Sequence, residues 1–319
     1  MSNFPSLPAK PFRLLPIFRE RVWGRRSLAP FFPVPSSNQL IGEVWFTFEE
    51  NSTSLGPSLG ELIRNYPQIL GAARDLEHPD ICPLLLKMLF TTERLSVQVH
   101  PDDDYARRHH ASLGKTEAWY VVDAQPPAEL AIGFKQELSP DRLRQAAETG
   151  EIEQLLDWRN VHRGDVIFVP AGTVHAIGAG LTICEVQEHS DITYRLYDYG
   201  RPRELHLDHG VNVAHLGPHT HQPQRVALAS WREELVACSY FRLERLRPAK
   251  AFEIAGSVPS YLILMCLKGK GKIAGEAFEQ GHCWMVPAGG AATEIQGADS
   301  EWILAYSATE PLIGLEARG

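Results

Sequence analysis

What this chain has little of narrows it first. Its 319 residues include only five cysteines, Cys82, Cys184, Cys238, Cys266 and Cys283, widely spaced and with no C-x-x-C pair. An odd, scattered set does not make a disulfide framework and suits reduced thiols, so a cytoplasmic location is expected. The opening MSNFPSLPAKPFRLLPIFRERVWG has no uninterrupted apolar segment and is broken by prolines, which argues against a secretion signal. No apolar run nears the length of a bilayer crossing; the longest, 261–267, is far too short, so no membrane partner is expected. A basic stretch is also missing. With 31 Lys and Arg against 39 Asp and Glu the net charge is −8, which disfavours nucleic acid as a partner.

What is present is ordinary globular composition, 44% apolar and 22% charged, in a chain long enough for about two domains. Gly42 to Phe46 reads as a strand. Ser58-x-x-Glu61 has capping-box spacing, and Pro67 should divide the helical pattern that follows it into two. Segment 83–90 is apolar and compatible with strand or helix. Asp102 to Asp104 followed by Arg107 to His110 predicts a short helix with acid first and base last, favourable to its dipole, closed at Gly114. Ser139 as cap and Pro140 at the first position start another helix, which breaks near Gly150 and resumes to Trp158. The rest is strand-like. The His- and Pro-rich text at 215–223 is the best linker, dividing the chain into 1–224 and 225–319. Segment 225–319 is a run of short strands with glycine turns and no helix, as in a sandwich or barrel.

Gln98 and His100 stand two apart on a strand, so their side chains leave the same face. Glu117 follows on a second strand. His175 comes from GDVIFVPAGTVHAIG, where Pro170, Ala171 and Gly172 turn the chain so that it points inward. One amide oxygen, two imidazoles and a carboxylate suit zinc or another borderline divalent ion. A rival set lies in the histidines at 206, 209, 215, 219 and 221. His219-x-His221 could chelate in an extended segment and His206 and His209 could share a helical face, but the only close acids are Glu204 and Asp208. That region reads as a solvated linker.

The spacing G-x5-P-x-G-x2-H from Gly164 to His175 resembles the second motif of cupin barrels, and Gln98-Val99-His100 with Glu117 stands for the first, at a wider gap filled by the 102–114 helix. LSVQVHPDD, GKTEAWY, PAGTVHAIG and EVQEHSDITYRLYDYGR together resemble type I phosphomannose isomerases in their short bacterial form, supported by RERVWGRRSL, IGEVW, PLLLKML and RELHLDH. The resemblance implies a mainly β fold of two cupin-like (jelly-roll) barrels with a few short helices. Residues 1–224 would carry the metal. The 225–319 barrel, where GHCWMVP echoes GDVIFVP but Ala292 stands at the histidine's place, would have no metal site and would shape the pocket rim. It also implies one zinc ion per chain on Gln98, His100, Glu117 and His175, Arg195 and Lys115 in catalysis, and Ser96 and Lys87 facing the substrate. The expected partner is a small-molecule phosphosugar, and the expected assembly a monomer or homodimer.

Chemistry agrees with that implication. Aldose–ketose isomerisation moves a proton through an enediol while negative charge grows on sugar oxygens, which a divalent ion stabilises. A guanidinium grips phosphate or an enediolate, and on an extended 193–199 segment Thr193, Arg195, Tyr197 and Tyr199 would share one face. Lys115 would contact phosphate, or serve as acid/base were its pKa depressed by the metal and Arg195. Glu43 is expected to support the site from behind. Two alternatives use the same fold: a non-catalytic phosphosugar-binding regulatory cupin, and a metal-dependent oxygenase, which would need redox-active iron.

Overall fold

The computed structural model describes residues 7–33, 38–75 and 77–318. Its strands form four antiparallel sheets. In the first barrel a six-stranded sheet runs in the order Ile17–Arg25, Ile41–Trp45, Leu84–Phe90, Leu181–Glu188, Glu117–Ala124 and Val166–Val169. Facing it is a five-stranded sheet ordered Tyr194–Tyr197, Val97–Val99, His175–Ile177, Glu129–Phe134 and Leu156–Asn160. A second pair, of seven and five strands, is built from the carboxy-terminal part, and the early strand Phe12–Leu14 joins its larger sheet beside Cys283–Val286. This is the mainly β, double jelly-roll architecture that the sequence pattern points to.

Alternation explains how the layers stack. Every residue of Leu84–Phe90 is buried because its two faces meet different cores. Leu84, Leu86, Met88 and Phe90 pack into a cluster shared with Leu235, Ile263 and Met265 of the carboxy-terminal barrel. Leu89 points the other way, into the interior of the first barrel. Strand Glu117–Ala124 repeats the division, with Ala118, Tyr120 and Val122 on the shared side and Trp119 and Val121 inside. The same holds for the apolar run at 261–267. Ile263, Met265 and Leu267 face the first barrel, whereas Leu262, Leu264 and Cys266 fill the core of the second. A strand with both faces covered needs no polar positions, so segment 83–90 is a strand and not a helix.

Local signals behave largely as their chemistry dictates. Ser58 and Glu61 form the capping box of helix Leu59–Asn65, and Pro67 opens a separate 3-10 turn, Pro67–Leu70. Asp102 caps helix Asp103–His110, but the helix closes at Ala111, left-handed at φ 49°, and not at Gly114. Gly114 is required for another reason: a Cβ there would lie 2.6 Å from the Asp102–Asp103 backbone. Helix Pro140–Thr149 ends at Gly150, and the short helix Ile152–Leu155 gives way to strand before Trp158, whose indole N–H bonds the Glu153 carbonyl. The helical reading to Trp158 therefore overran by one strand. Segment 206–213, expected to be linker, contains helix Leu207–Val213. Among the described residues no helix is long and apolar enough to cross a membrane.

Leu86 is fully buried between the two barrels. Leu86→Ala is expected to lower the unfolding free energy by about 2–5 kcal/mol through the cavity it leaves, read as a lower urea midpoint with an unchanged slope.

Candidate metal centre and active-site cavity

The two sheets of the first barrel bring the site together by register. On the five-stranded sheet His175 pairs with Gln98, and Gln98 with Arg195, so the three side chains stand in a row across adjacent strands. On the six-stranded sheet Glu185 lies opposite Lys87 on one side and Trp119 on the other, and Gln187 lies opposite Glu117. Both rows point into the barrel.

His100, Glu117 and His175 are buried, and one ligand atom from each lies within 4.8 Å of the others. The ring orientations are set from behind. His100 Nδ1 is 2.9 Å from the Ile192 carbonyl and His175 Nδ1 is 2.9 Å from the Thr173 carbonyl. A carbonyl only accepts, so each Nδ1 carries the proton and each Nε2 turns its lone pair toward Glu117, at 3.6 and 3.4 Å. Burial lowers the pKa of His175 to about 4, and burial followed by the Lys115 charge takes His100 well below the ordinary value. Both rings are therefore neutral at pH 7, the form that coordinates a metal. Glu117 Oε1 accepts no hydrogen bond among the described residues, a costly state for a buried carboxylate oxygen that a metal cation relieves. The donor set fits a divalent ion.

Gln98 sits beside this trio but presents its amide nitrogen, 3.1 Å from His175 Nε2, while its oxygen faces the Ser96 hydroxyl at 3.3 Å. A half-turn of the amide exchanges the two atoms. Lys115 Nζ reaches Glu117 Oε2 at 2.9 Å and His100 Nε2 at 3.1 Å. Burial alone would lower its pKa, but Glu117, Glu185 and Asp191 outweigh that and raise it. The direction is opposite to the depression considered from the sequence, because carboxylates and not cations surround the ammonium.

Gln98 and Lys115 also line a cavity of 480 Å³, with Ser96, Lys87, Thr193 and Arg195 in its wall. All its wall residues fall between Glu20 and Arg203, so the carboxy-terminal barrel does not shape the rim as expected. Three guanidiniums reach the cavity. Arg21 is gripped by Glu43 at 3.0 and 2.9 Å, and Arg203 by Asp198 at 2.6 and 2.7 Å. Arg195 has no carboxylate partner among the described residues; Nη1 donates to the Glu204 carbonyl at 2.7 Å, and its buried Nε has no acceptor. Tyr197 and Tyr199 do not share its face. The pairing register slips between Arg195 and Tyr197, the strand ends there, and Tyr199 turns left-handed at φ 55°.

Glu43 touches none of the trio. It holds the Trp45 indole N–H at 2.7 Å, and that ring lies 4.4 Å under the Lys87 ammonium, so Glu43 supports Lys87 and not the metal ligands. Glu185 is the residue the sequence reading passed over. It is buried in the cavity wall, accepts from the Trp119 indole at 3.1 Å and lies 3.7 Å from Lys87. Burial, then the nearby Glu117 charge, pushes its pKa up. A charged residue amid LTICEVQE, on the inward face by alternation, was the available signal.

Comparison with known proteins bears on this site as a whole. Residues 12–137 match the family described as phosphomannose isomerase type I, catalytic domain. The mannose-6-phosphate isomerase ManA of Bacillus subtilis is 35% identical over 316 residues, covering 91% of this chain and 97% of that protein. The mannose-6-phosphate isomerase of Streptococcus mutans is 33% identical over 281 residues, covering 83% and 87%. The crystal structure of the mannose 6-phosphate isomerase from Bacillus subtilis superposes with a TM-score of 0.84 at 30% identity, over 93% of this chain and 99% of that one. With identity of this extent along nearly the whole of both chains, and a buried His–Glu–His set beneath a cationic cavity, the chain belongs to the type I phosphomannose isomerases.

Proposed function

We propose that this chain is a metal-dependent aldose–ketose isomerase interconverting mannose 6-phosphate and fructose 6-phosphate through an enediol. The observation that carries the reading is the converged, buried set of His100, Glu117 and His175 under a cavity where one guanidinium is left without a carboxylate. Zinc, one ion per chain, suits two imidazoles, a carboxylate and the Gln98 amide oxygen once that amide is turned. When bound, such an ion supplies Lewis acidity to the sugar's carbonyl and hydroxyl oxygens.

The chain's own groups do the rest. Arg195 offers a guanidinium free to pair with an anion, phosphate or enediolate. Lys87 and Lys115 add positive charge to the same wall, and Ser96 adds a hydroxyl. Glu185 is a cavity carboxyl whose pKa is raised, by burial first and then by the Glu117 charge, so it is set up to take and return the proton moved between the two sugar carbons. We read residues 1–224 as the catalytic part and 225–319 as its packing partner, with Phe12–Leu14 crossing between them. A cytoplasmic monomer or homodimer accords with the free thiols, all but Cys238 of them buried.

Removing metal with a chelator should abolish turnover in a coupled assay of either sugar phosphate, and added zinc should restore it. Tight sugar-phosphate binding without turnover by the zinc-loaded protein would instead support a regulatory cupin, and iron as the metal required would support an oxygenase. Arg195→Ala should lower kcat/KM by about 10²–10³-fold with metal content unchanged; loss of metal would make Arg195 structural. Glu185→Gln should lower kcat by about 10²–10⁴-fold, again with full metal content.

A further inference from the structure

Three imidazoles that the sequence places far apart meet on the surface. His109 and His110 end helix Asp103–His110, and His209 lies on helix Leu207–Val213. Ring centres are 5.5 Å apart for His109 and His209, 5.8 Å for His110 and His209, and 6.5 Å for His109 and His110. Imidazoles sharing one tetrahedral ion at the usual nitrogen distance have centres about 5 Å apart. Two of the three pairs are already close to that spacing.

Two tyrosines hold the rings. Tyr105 Oη is 2.9 Å from His209 Nδ1, and Tyr194 Oη is 2.6 Å from His110 Nε2. Tyr194 also stacks on His209 with centres 4.9 Å apart. On His209 and His110 one nitrogen thereby faces a hydroxyl, and in the tautomer that donates to it the other nitrogen holds the lone pair a metal needs. His109 stacks on Tyr105 at 4.2 Å, and neither of its nitrogens has a hydrogen bond among the described residues. His109 and His110 are exposed, so their rings have room to rotate toward His209, His110 exchanging its Tyr194 contact for the ion. Among the described residues only the His100–Glu117–His175 set already has its ligand atoms within 4.8 Å of one another, so the three surface rings must rotate to share one ion.

We propose that His109, His110 and His209 form a second, surface site for a borderline divalent transition-metal ion such as Zn²⁺, separate from the buried centre. Nitrogen donors without carboxylate or thiolate select zinc, nickel or copper over magnesium and calcium. The site joins two helices that flank the Arg195 strand. His206, just before the second helix, exchanges backbone hydrogen bonding with Arg195: its N–H donates to the Arg195 carbonyl at 2.8 Å and its Nδ1 accepts the Arg195 N–H at 3.1 Å. An ion here therefore ties down the segment that carries Arg195.

The test is a calorimetric Zn²⁺ titration of protein already carrying its first equivalent of zinc. A second equivalent should bind, and His109→Ala or His209→Ala should each weaken it at least tenfold while basal turnover and the first equivalent stay unchanged. His109 is exposed, so its loss does not threaten folding. No second equivalent in the wild type overturns the proposal. So does a second equivalent that survives in His109→Ala/His209→Ala, or one lost only in His219→Ala/His221→Ala, which would place the ion in that segment.

Discussion

The structure hangs on one requirement, that the middle strands of the first barrel be covered on both faces. Leu86 and Tyr120 are pressed against the carboxy-terminal barrel, while one residue along Lys87 faces the cavity and Trp119 the interior of the first barrel. Because successive side chains alternate, seating the apolar positions in the inter-barrel core fixes the neighbouring residues on the functional side. A slip by one residue would put Glu117 and Glu185 into a dry hydrophobic layer at prohibitive cost. Packing between barrels thus sets the register that assembles the site, although the second barrel contributes no wall to the cavity. Tyr120 reinforces this layer by donating to Glu301 at 2.7 Å, an acid also held by Arg247 at 2.9 Å.

Within that frame three cations of the cavity wall are each held by a carboxylate, while one guanidinium and one acid are not committed to a single partner. Arg21 and Arg203 are neutralised by Glu43 and Asp198, and Lys115 is locked by Glu117. Arg195 is left without such a partner, and Glu185 is a buried acid shared among several charges and not committed to one. Both sit in the wall of the same cavity, where unbalanced charge would serve the proposed binding and proton transfer. The backbone supplies the remaining order. Carbonyls of Ile192 and Thr173 choose the tautomer of the two histidines, so the geometry of the candidate metal centre depends on backbone outside its donor residues.

Much of the site was legible in the residues because its signals are short in range. Gln98 and His100 share a strand face by spacing, and Pro170 to Gly172 mark the turn that delivers His175. The local signal at Glu185, a charge on the inward face of an apolar strand, does not say what the acid does; that comes from Lys87 and Trp119, nearly a hundred and over sixty residues away, on flanking strands. The face predicted for Tyr197 and Tyr199 failed for a similar reason, since a register slip is a property of two strands together. Likewise His209 was grouped with its sequence neighbours, whereas its contacts are with His109, His110 and Tyr105.

The sequence by itself determined the β-rich class, the helix starts at Ser58 and Ser139 and the break at Gly150, because each follows from local propensity or period, while likeness to a family motif marked the buried imidazoles and carboxylate. Only the tertiary structure decided which atoms face one another: that Lys115 is held by carboxylates, that Gln98 presents nitrogen before oxygen, that Glu43 serves Lys87, and that Arg195 alone of the cavity guanidiniums is unpaired. These are facts of distance across sheets, and charge interactions depend on separation and burial rather than on order along the chain.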